Sequence, residues 1–222
     1  DVEKKGLESI KKKFKDKVFT FNCSVTNKNK LEKISLKLKE DKININGLIN
    51  NAAGKQTTVF NNKVVNFENY PLSAWMDEIQ IDLTGTFLCS QIFSRNFVFK
   101  KTASIVNLSS TYGIVAADQR IYGKSGLNSS AAYATSKAGL IGLTKYLASY
   151  WQGKKIRVNA LAPAGVFNNQ DSKFYKKYIY KTMLKRMASS EDLFTAIAYL
   201  LSDQSSFVTG TTLVVDGGLT AW

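Results

Sequence analysis

Apolar residues recur along this chain in two alternating patterns, one with helical spacing and one of short continuous runs. Leu7, Ile10 and Phe14 stand at helical spacing among lysines in residues 2–16, which predicts an amphipathic helix. The run at residues 18–22 predicts a short strand. The same alternation then continues to the end of the chain.

Four more helices and four more strands follow from these patterns. The helices are expected to begin at Asn27, Pro71, Ala131 and Ser189, where Ser189 forms a capping box with Asp192. The strands are expected at residues 45–50, 103–110, 156–161 and 212–216, and a polar loop is expected at residues 52–69. Because the strands are continuously apolar and alternate with helices, we predict an α/β fold with a doubly wound parallel sheet, Rossmann-like, in a single domain over residues 1–222.

A sheet of this kind usually begins with a strand and a glycine-rich turn that holds a pyrophosphate. No Gly-x-x-x-Gly-x-Gly pattern precedes the first predicted helix. We therefore expect the given sequence to lack the first βα unit, roughly 30 to 40 residues. A piece of a longer polypeptide and a natural short form both fit this expectation.

Composition narrows the class of protein. A chain of 222 residues with 44% hydrophobic content is long and apolar enough for one sizeable core. No apolar run reaches membrane-spanning length and the first residues have no signal or lipidation motif, so we expect a cytoplasmic protein without a membrane partner. Cys23 and Cys89 lie far apart in apolar stretches, which favours buried thiols over a disulfide or a metal site.

The net charge and the absence of histidine limit the classes of ligand and of catalytic site that the chain can have. The net charge of +14 could suit nucleic acid, but the lysines lie between apolar positions on helix faces and no nucleic-acid motif accompanies them. We therefore expect a small-molecule substrate. Because the chain has no histidine, serine and cysteine hydrolase triads and histidine zinc sites are excluded. Tyrosine, lysine, serine and carboxylates remain for acid-base work.

Tyr133 and Lys137 stand four residues apart in a proline-free run, so a helix would place both side chains on one face. An ammonium one turn away favours the phenolate and lowers the pKa of a tyrosine. Ser110 ends the apolar run at residues 103–110, so its hydroxyl could meet Tyr133 at the carboxyl end of a strand. A surface Tyr and Lys on an ordinary helix is the other interpretation, since this spacing is common by chance.

Five motifs in order resemble the short-chain dehydrogenase/reductase family from end to end. They are residues 50–54 (NNAAG), residues 106–110 (VNLSS), Tyr133-x-x-x-Lys137, residues 157–163 (RVNALAP) and residues 215–218 (VDGG). The resemblance implies a nicotinamide-dependent enzyme that acts on a CH–OH group. It assigns the general acid/base to Tyr133, the cofactor ribose contact to Tyr133 and Lys137, and the substrate oxygen contact to Ser110.

The resemblance also implies the other cofactor-binding positions. Asn51, Ala52, Ala53 and Gly54 correspond to the turn beside the adenosine half, with one alanine more than usual. Ser24 and Val25 stand near the adenine, and Pro163, Ala164, Gly165 and Val166 stand near the nicotinamide. Asp1 corresponds to the acid that binds the adenosine ribose hydroxyls, which favours NAD over NADP.

Two positions depart from the family pattern. Asp82 replaces the asparagine of the proton relay; it is expected either to pair with Lys137 or to be an acid on the helix surface. Ser110 and Tyr133 are 23 residues apart, which is longer than usual for the family. The extra loop carries Arg120, Tyr122 and Lys124, whose polar side chains suggest a hydrophilic, anionic or sugar-like substrate.

Within the family, the chain is most similar to a bacterial subgroup linked to surface-sugar or flagellin modification. The implied activity is interconversion of a secondary alcohol and a ketone on a polar substrate, in a homo-oligomer that is a tetramer or a dimer. A 3-oxoacyl-carrier-protein reductase or a sugar-acid dehydrogenase is also open, as is a non-catalytic or truncated member unable to bind dinucleotide. Phe174, Tyr175, Tyr178 and Tyr180 could close over the substrate or pack as part of an ordinary helix.

Overall fold

Helices and strands alternate in the computed structural model, which describes residues 1–55, 57–61, 63–97 and 102–222. The helices are α1 (Lys4–Phe14), α2 (Lys28–Glu40), α3 (Leu72–Ile79), α4 (Gly85–Phe93), α5 (Ala131–Tyr150), α6 (Ser172–Tyr180) and α7 (Ser190–Leu201). The strands are β1 (Gly47–Asn50), β2 (Val59–Phe60), β3 (Lys63–Val64), β4 (Ala103–Leu108), β5 (Ile156–Pro163) and β6 (Thr212–Val215). Short 3-10 helices span Lys15–Lys17, Phe67–Asn69, Ser94–Asn96, Thr111–Gly113, Gln119–Ser125 and Asp203–Ser205.

The central sheet is parallel, with the strand order β1-β4-β5-β6. Ile105 and Val158 project from one face and pack with Leu147 of α5, whereas Val106 and Leu161 project from the other face and pack with Leu200 of α7. These six side chains are buried, and each contributes about 1.5 to 3 kcal/mol by leaving water. Because helices cover both faces, the predicted doubly wound parallel sheet is confirmed.

Several predicted elements appear where the sequence placed them. Asn27 caps α2 by accepting a hydrogen bond from the backbone N–H of Lys30, and Ser189 forms the predicted capping box with Asp192. Helix α5 covers all but the last residue of its predicted span. By contrast, α1 forms as expected but has no buried residue.

The predicted strand at residues 18–22 is wrong. Residues 18–24 have no regular secondary structure. Two hydrogen bonds tie this segment to residue 1, from Cys23 N–H to Asp1 O (2.8 Å) and from the Asp1 ammonium to Phe21 O (3.2 Å). A strand requires a ladder with a neighbouring strand. Within the described ranges, no strand pairs with this segment.

The predicted polar loop at residues 52–69 contains the antiparallel hairpin of β2 and β3. Its turn includes Asn61 in the left-handed region (φ 48°), which asparagine tolerates well. The hairpin is also tied to the loop before α5, because Thr58 and Asn128 exchange two hydrogen bonds. Gln56 and Asn62 of this loop lie outside the described residues.

The long helix predicted after Pro71 is a continuous helical run with a π-helical stretch, Gln80–Thr84, between α3 and α4. Pro71 is the N-cap of α3, one position before the first turn. A π-helical stretch is rare and often lies at a functional site. It contains Asp82.

Candidate active site

Ser110 and Tyr133 meet at the carboxyl end of β4. Ser110 follows the strand, and its hydroxyl forms a hydrogen bond with the Tyr133 hydroxyl. Tyr133 lies in the first turn of α5, whose N-cap Ser130 accepts a hydrogen bond from the backbone N–H of Tyr133 (3.0 Å). The sheet edge and the helix cap together bring the two hydroxyls into contact, and their catalytic roles stay predictions.

Gly113 allows the strand end to approach the catalytic helix closely. A Cβ atom at this position would lie 2.7 Å from the backbone carbonyl carbon of Lys137 and 2.9 Å from Ser109 Oγ. Ser109 Oγ itself donates a hydrogen bond to Lys137 O (2.8 Å). A larger residue at position 113 would therefore separate the two elements that carry the site.

Lys137 is buried and its ammonium is held by two oxygen atoms. Its Nζ donates to Leu108 O (3.0 Å) and lies 3.4 Å from Asp82 Oδ2. The same atom lies 5.5 Å from the centre of the Tyr133 ring. Burial lowers the pKa of Lys137, and the negative charges of Asp82 and Glu78 oppose that shift.

Asp82 is fully buried and links three parts of the site. Its carboxylate accepts hydrogen bonds from the backbone N–H of Gly54 (2.7 Å) and from the Ser136 hydroxyl (3.1 Å), in addition to the ion pair with Lys137. The interpretation of Asp82 as a surface acid is therefore wrong, and the ion pair with Lys137 forms. Its participation in a proton relay stays a prediction.

The pKa of Tyr133 is raised to about 12, mainly by burial of the phenol. The charges of Asp82 and Glu78 raise it further, while the hydrogen bond from Ser110 lowers it. This is opposite to the lowering expected from Lys137, because the ammonium points to Asp82 and Leu108 O. Tyr133 is a phenol at neutral pH and can donate a proton.

Most of the predicted adenosine-binding residues line one open cleft of about 720 Å³ between residues 18–25 and the carboxyl end of β1. These residues are Asp1, Ser24, Val25, Asn51, Ala52 and Ala53. Asn50 also lines the cleft, and its side-chain amide points inward, donating to Asn107 Oδ1 (2.8 Å) and Ser90 Oγ (3.0 Å). Gly54 holds its backbone N–H against Asp82.

The predicted nicotinamide contacts lie at the same edge of the sheet, at the end of β5. Pro163 pairs with Val215 of β6, and Ala164 N–H donates to Val215 O (3.0 Å). Gly165 N–H donates to the Tyr178 hydroxyl, and Val166 forms an isolated bridge with Ala188. The turn is thereby anchored to α6 and to the residues after it.

The three predicted substrate contacts separate in the structure. Arg120 pairs with Asp118 (2.8 Å) and its side chain is 89% exposed, while Lys124 is also exposed. Tyr122 instead packs on Phe174 (5.4 Å between ring centres). Because Asp118 already neutralises the charge of Arg120, an anionic substrate would be attracted less strongly to this side chain.

Tyr122 belongs to a cluster of aromatic side chains around Tyr133. Its hydroxyl forms a hydrogen bond with Tyr112, which lowers the pKa of Tyr122, whereas a charge on Tyr122 would raise the pKa of both Tyr112 and Tyr133. Phe174 and Tyr178 pack together at 5.7 Å, whereas Tyr180 is 78% exposed. Of the aromatic residues expected near the substrate, Phe174 and Tyr178 pack nearest to this cluster.

Three residues near the site were not predicted from the sequence: Tyr112, Ser130 and Glu78. Glu78 is buried and accepts a hydrogen bond from the Ser130 hydroxyl (2.7 Å). A signal was present, because Glu78 precedes Asp82 by one helical turn and Ser130 directly precedes the proline-free helix.

Neither a metal site nor a membrane-spanning helix is found in the parts of the chain that the structure describes. No group of three or more His, Cys, Asp and Glu side chains there could hold a metal ion. None of the described helices is long and apolar enough to cross a membrane.

Comparison with known proteins shows the family to which the chain belongs. Residues 1–220 match the family model described as enoyl-(acyl carrier protein) reductase. The chain is 39% identical over 142 residues to post-translational flagellin modification protein A of Campylobacter coli, a match covering 64% of this chain and 56% of that protein. It is 31% identical over 226 residues to the 3-oxoacyl-[acyl-carrier-protein] reductase FabG of Thermotoga maritima, covering 99% of this chain and 85% of the relative.

A solved structure supports the same placement. The short-chain dehydrogenase from Leptospira borgpetersenii with bound NAD+ is 40% identical, with a TM-score of 0.81, and the match covers 90% of this chain and 74% of that one. This chain therefore spans little more than half of the Campylobacter relative and about three quarters of the Leptospira enzyme.

Proposed function

Since this chain belongs to the short-chain dehydrogenase/reductase family, we propose that it is an NAD(P)-dependent oxidoreductase interconverting a secondary alcohol and a ketone on a polar, sugar-like substrate. The observation that carries the proposal is the contact of Ser110 with Tyr133 at the carboxyl edge of the sheet, with Lys137 one turn away. Ligands of open parallel sheets bind at this edge.

In the proposed reaction, the hydroxyls of Ser110 and Tyr133 both bind the substrate oxygen. During reduction, the Tyr133 phenol donates its proton to that oxygen as the carbonyl becomes an alcohol; during oxidation, the phenolate accepts the proton. Ser110 fixes the direction of the Tyr133 hydroxyl through their hydrogen bond. Lys137 supplies a buried positive charge beside the ring.

The open cleft fits a dinucleotide in size and chemistry. Its volume of about 720 Å³ lies within the usual range for small-molecule sites. Ala52 and Ala53 leave the backbone accessible, and we propose that Asp1 binds the adenosine ribose hydroxyls, which favours NAD over NADP. When bound, the nicotinamide ring supplies the hydride acceptor or donor. We propose that Pro163 to Val166 hold its carboxamide end.

The surroundings of Tyr133 support a hydroxyl-rich substrate. Tyr112 and Tyr122 place phenolic hydroxyls close to the catalytic tyrosine, and such groups both donate and accept hydrogen bonds. Relatives named for L-xylulose reduction and D-threitol oxidation support a polar, sugar-like substrate, and the Campylobacter relative is named for post-translational flagellin modification. The Thermotoga relative, aligned over nearly the whole chain, favours a 3-oxoacyl thioester as the second candidate.

Cofactor titration tests the proposal first. NADH and NADPH are added separately while the protein fluorescence is recorded, and we expect NADH to bind more tightly. Tighter binding of NADPH would contradict the use of Asp1, whereas binding of neither would support the non-catalytic alternative.

Turnover tests the assigned residues. Tyr133→Phe should lower kcat/KM by about 10² to 10⁴ and leave NADH binding nearly intact, because only the transferable proton is lost. Lys137→Met should lower kcat/KM and also weaken the binding of NADH. The matched control is Tyr146→Phe, since Tyr146 lies on the same helix and is 64% exposed. Normal turnover in Tyr133→Phe would reject the proposed reaction.

A substrate panel separates the two candidate classes. Keto-sugars and sugar nucleotides are compared with 3-oxoacyl thioesters under the same conditions. A higher kcat/KM for the thioesters would replace the sugar-like substrate by the second candidate. We further propose that the protein works in the cytoplasm as a homo-oligomer, a tetramer or a dimer, which light scattering on the purified protein would test.

A further inference from the structure

We propose that Glu78 is a positioning residue that fixes the N-terminus of the catalytic helix and sets the pH range in which Tyr133 transfers protons. This inference rests on the proposed function, because it concerns the same tyrosine. Glu78 lies on α3 and is only 4% exposed. A carboxylate is rarely buried to this extent unless it is paired or hydrogen-bonded.

Two hydrogen bonds connect Glu78 to the backbone of Tyr133. The Ser130 hydroxyl donates to Glu78 Oε2 (2.7 Å), and Ser130 Oγ accepts from Tyr133 N–H (3.0 Å). A serine hydroxyl has a single proton, so donating it to the carboxylate leaves the oxygen lone pairs for the amide. Glu78 therefore orients the N-cap so that it holds the first turn of α5, in which Tyr133 lies.

Glu78 also places a second carboxylate on the side of the helical run that faces α5. It precedes Asp82 by four residues, and both side chains contact residues of that helix or its cap. Gly54 packs against both acids, since a Cβ atom there would lie 3.3 Å from Glu78 Cγ and 3.7 Å from Asp82 Oδ1. The acids and the turn at residues 50–54 form one packed unit.

The charges around Tyr133 favour its neutral form. The titratable and hydrogen-bonding groups that act on Tyr133 or on Glu78 include Tyr70, Glu78, Asp82, Ser110, Tyr112, Tyr122, Ser130, Tyr133 and Lys137. Lys137 is the positively charged member of this group, and Glu78 and Asp82 are its two carboxylates. Both carboxylates raise the pKa of Tyr133, so removal of either charge makes the phenolate easier to form.

Glu78→Gln tests the charge because it keeps an acceptor oxygen for Ser130. We expect the pH profile of kcat/KM to move to lower pH by about 1 unit. The rising limb for alcohol oxidation requires the phenolate and the falling limb for ketone reduction requires the phenol, so both limbs should move in the same direction. Asp77→Asn is the matched control, since this exposed neighbour on α3 loses the same charge.

Ser130→Ala separates positioning from charge. It removes the link to the Tyr133 amide and leaves the carboxylate in place, so we expect kcat to fall about tenfold without the downward shift of the pH profile. A shift in Glu78→Gln no larger than in Asp77→Asn would overturn the proposal. So would a Ser130→Ala variant with unchanged kcat.

A measurement without turnover keeps this inference separate from the proposed function. The phenolate absorbance of Tyr133 is obtained as the difference between the protein and its Tyr133→Phe variant, at a fixed alkaline pH below the unfolding transition. This difference in absorbance should be larger when the protein and its Tyr133→Phe variant both carry Glu78→Gln. An equal difference would overturn the inference even if turnover were absent, whereas loss of turnover with a larger difference would contradict only the proposed reaction.

Discussion

The buried ion pair of Asp82 and Lys137 leads to a prediction for stability. The two charged atoms lie 3.4 Å apart, and their side chains are 0% and 4% exposed. At that distance and an effective dielectric constant of about 20, the attraction is about 5 kcal/mol. Burying both charges offsets much of this, but removing one partner leaves the other unpaired. We therefore expect Asp82→Asn to lower the free energy of unfolding by about 3 kcal/mol.

Asparagine suits this test because its carbonyl oxygen can still accept the hydrogen bond from Gly54 N–H. Its amide group replaces Oδ2, so the change removes the charge that faces Lys137 together with the acceptor for the Ser136 hydroxyl. Urea unfolding measures the free energy, and the melting temperature should fall by about 6 to 12 °C for a chain of this size. Asp77→Asn, at an exposed position of the same helical run, is the control.

A double-mutant cycle with Lys137→Met isolates the pair. The two substitutions together should cost about 2 to 3 kcal/mol less than the sum of the single effects, because the double variant has no unpaired buried charge. Single effects that add within about 0.5 kcal/mol would refute the coupling. The ion pair would then be a contact without energetic consequence.

Three shorter predictions concern the rest of the site. Gly113→Ala should lower turnover and should lower the free energy of unfolding by about 1 to 3 kcal/mol, because the new Cβ atom would lie 2.7 Å from the backbone of Lys137. Unchanged urea unfolding would contradict this. Burial lowers the pKa of Lys137 despite the ion pair with Asp82, so the unfolded chain holds this proton to a higher pH than the folded chain does. Stability should therefore rise as pH rises through the folded pKa toward the unfolded value near 10.5, and this rise should disappear in Lys137→Met. Arg120 and Lys181 pair with Asp118 and hold its pKa below the usual value. Asp118→Asn weakens these pairs, so backbone hydrogen exchange in residues 117–125 should become faster. An unchanged exchange rate would show that other contacts hold the loop.

The central part of the site was predictable because it depends on local rules. A four-residue spacing in a proline-free helix fixes the common face of Tyr133 and Lys137, and an apolar run in a parallel sheet places Ser110 at the carboxyl edge. The capping box at Ser189 is equally local, and it forms as predicted. These features need only a few neighbouring residues to be specified.

Features that depend on distant partners were harder to predict. The apolar run at residues 18–22 has a strand pattern, yet a strand exists only where a second strand supplies hydrogen bonds. Arg120 is polar and near the site in sequence, but it pairs with Asp118, and Asp118 also pairs with Lys181, which is 63 residues away along the chain. Glu78 lies just before a π-helical stretch, and a 3.6-residue period does not describe which residues face α5 along such a run.

The balance of charge around Tyr133 connects the unusual aspartate to the direction of the reaction. With an asparagine at position 82, Glu78 would be the negative charge acting on Lys137. Asp82 adds a second negative charge in the same buried space. Together with burial, these acids raise the pKa of Tyr133 to about 12. At neutral pH the tyrosine therefore carries its proton and can give it to a carbonyl oxygen. For the reaction proposed above, the phenol is the form that donates a proton to a ketone at neutral pH, and the phenolate that alcohol oxidation needs forms in a more alkaline solution.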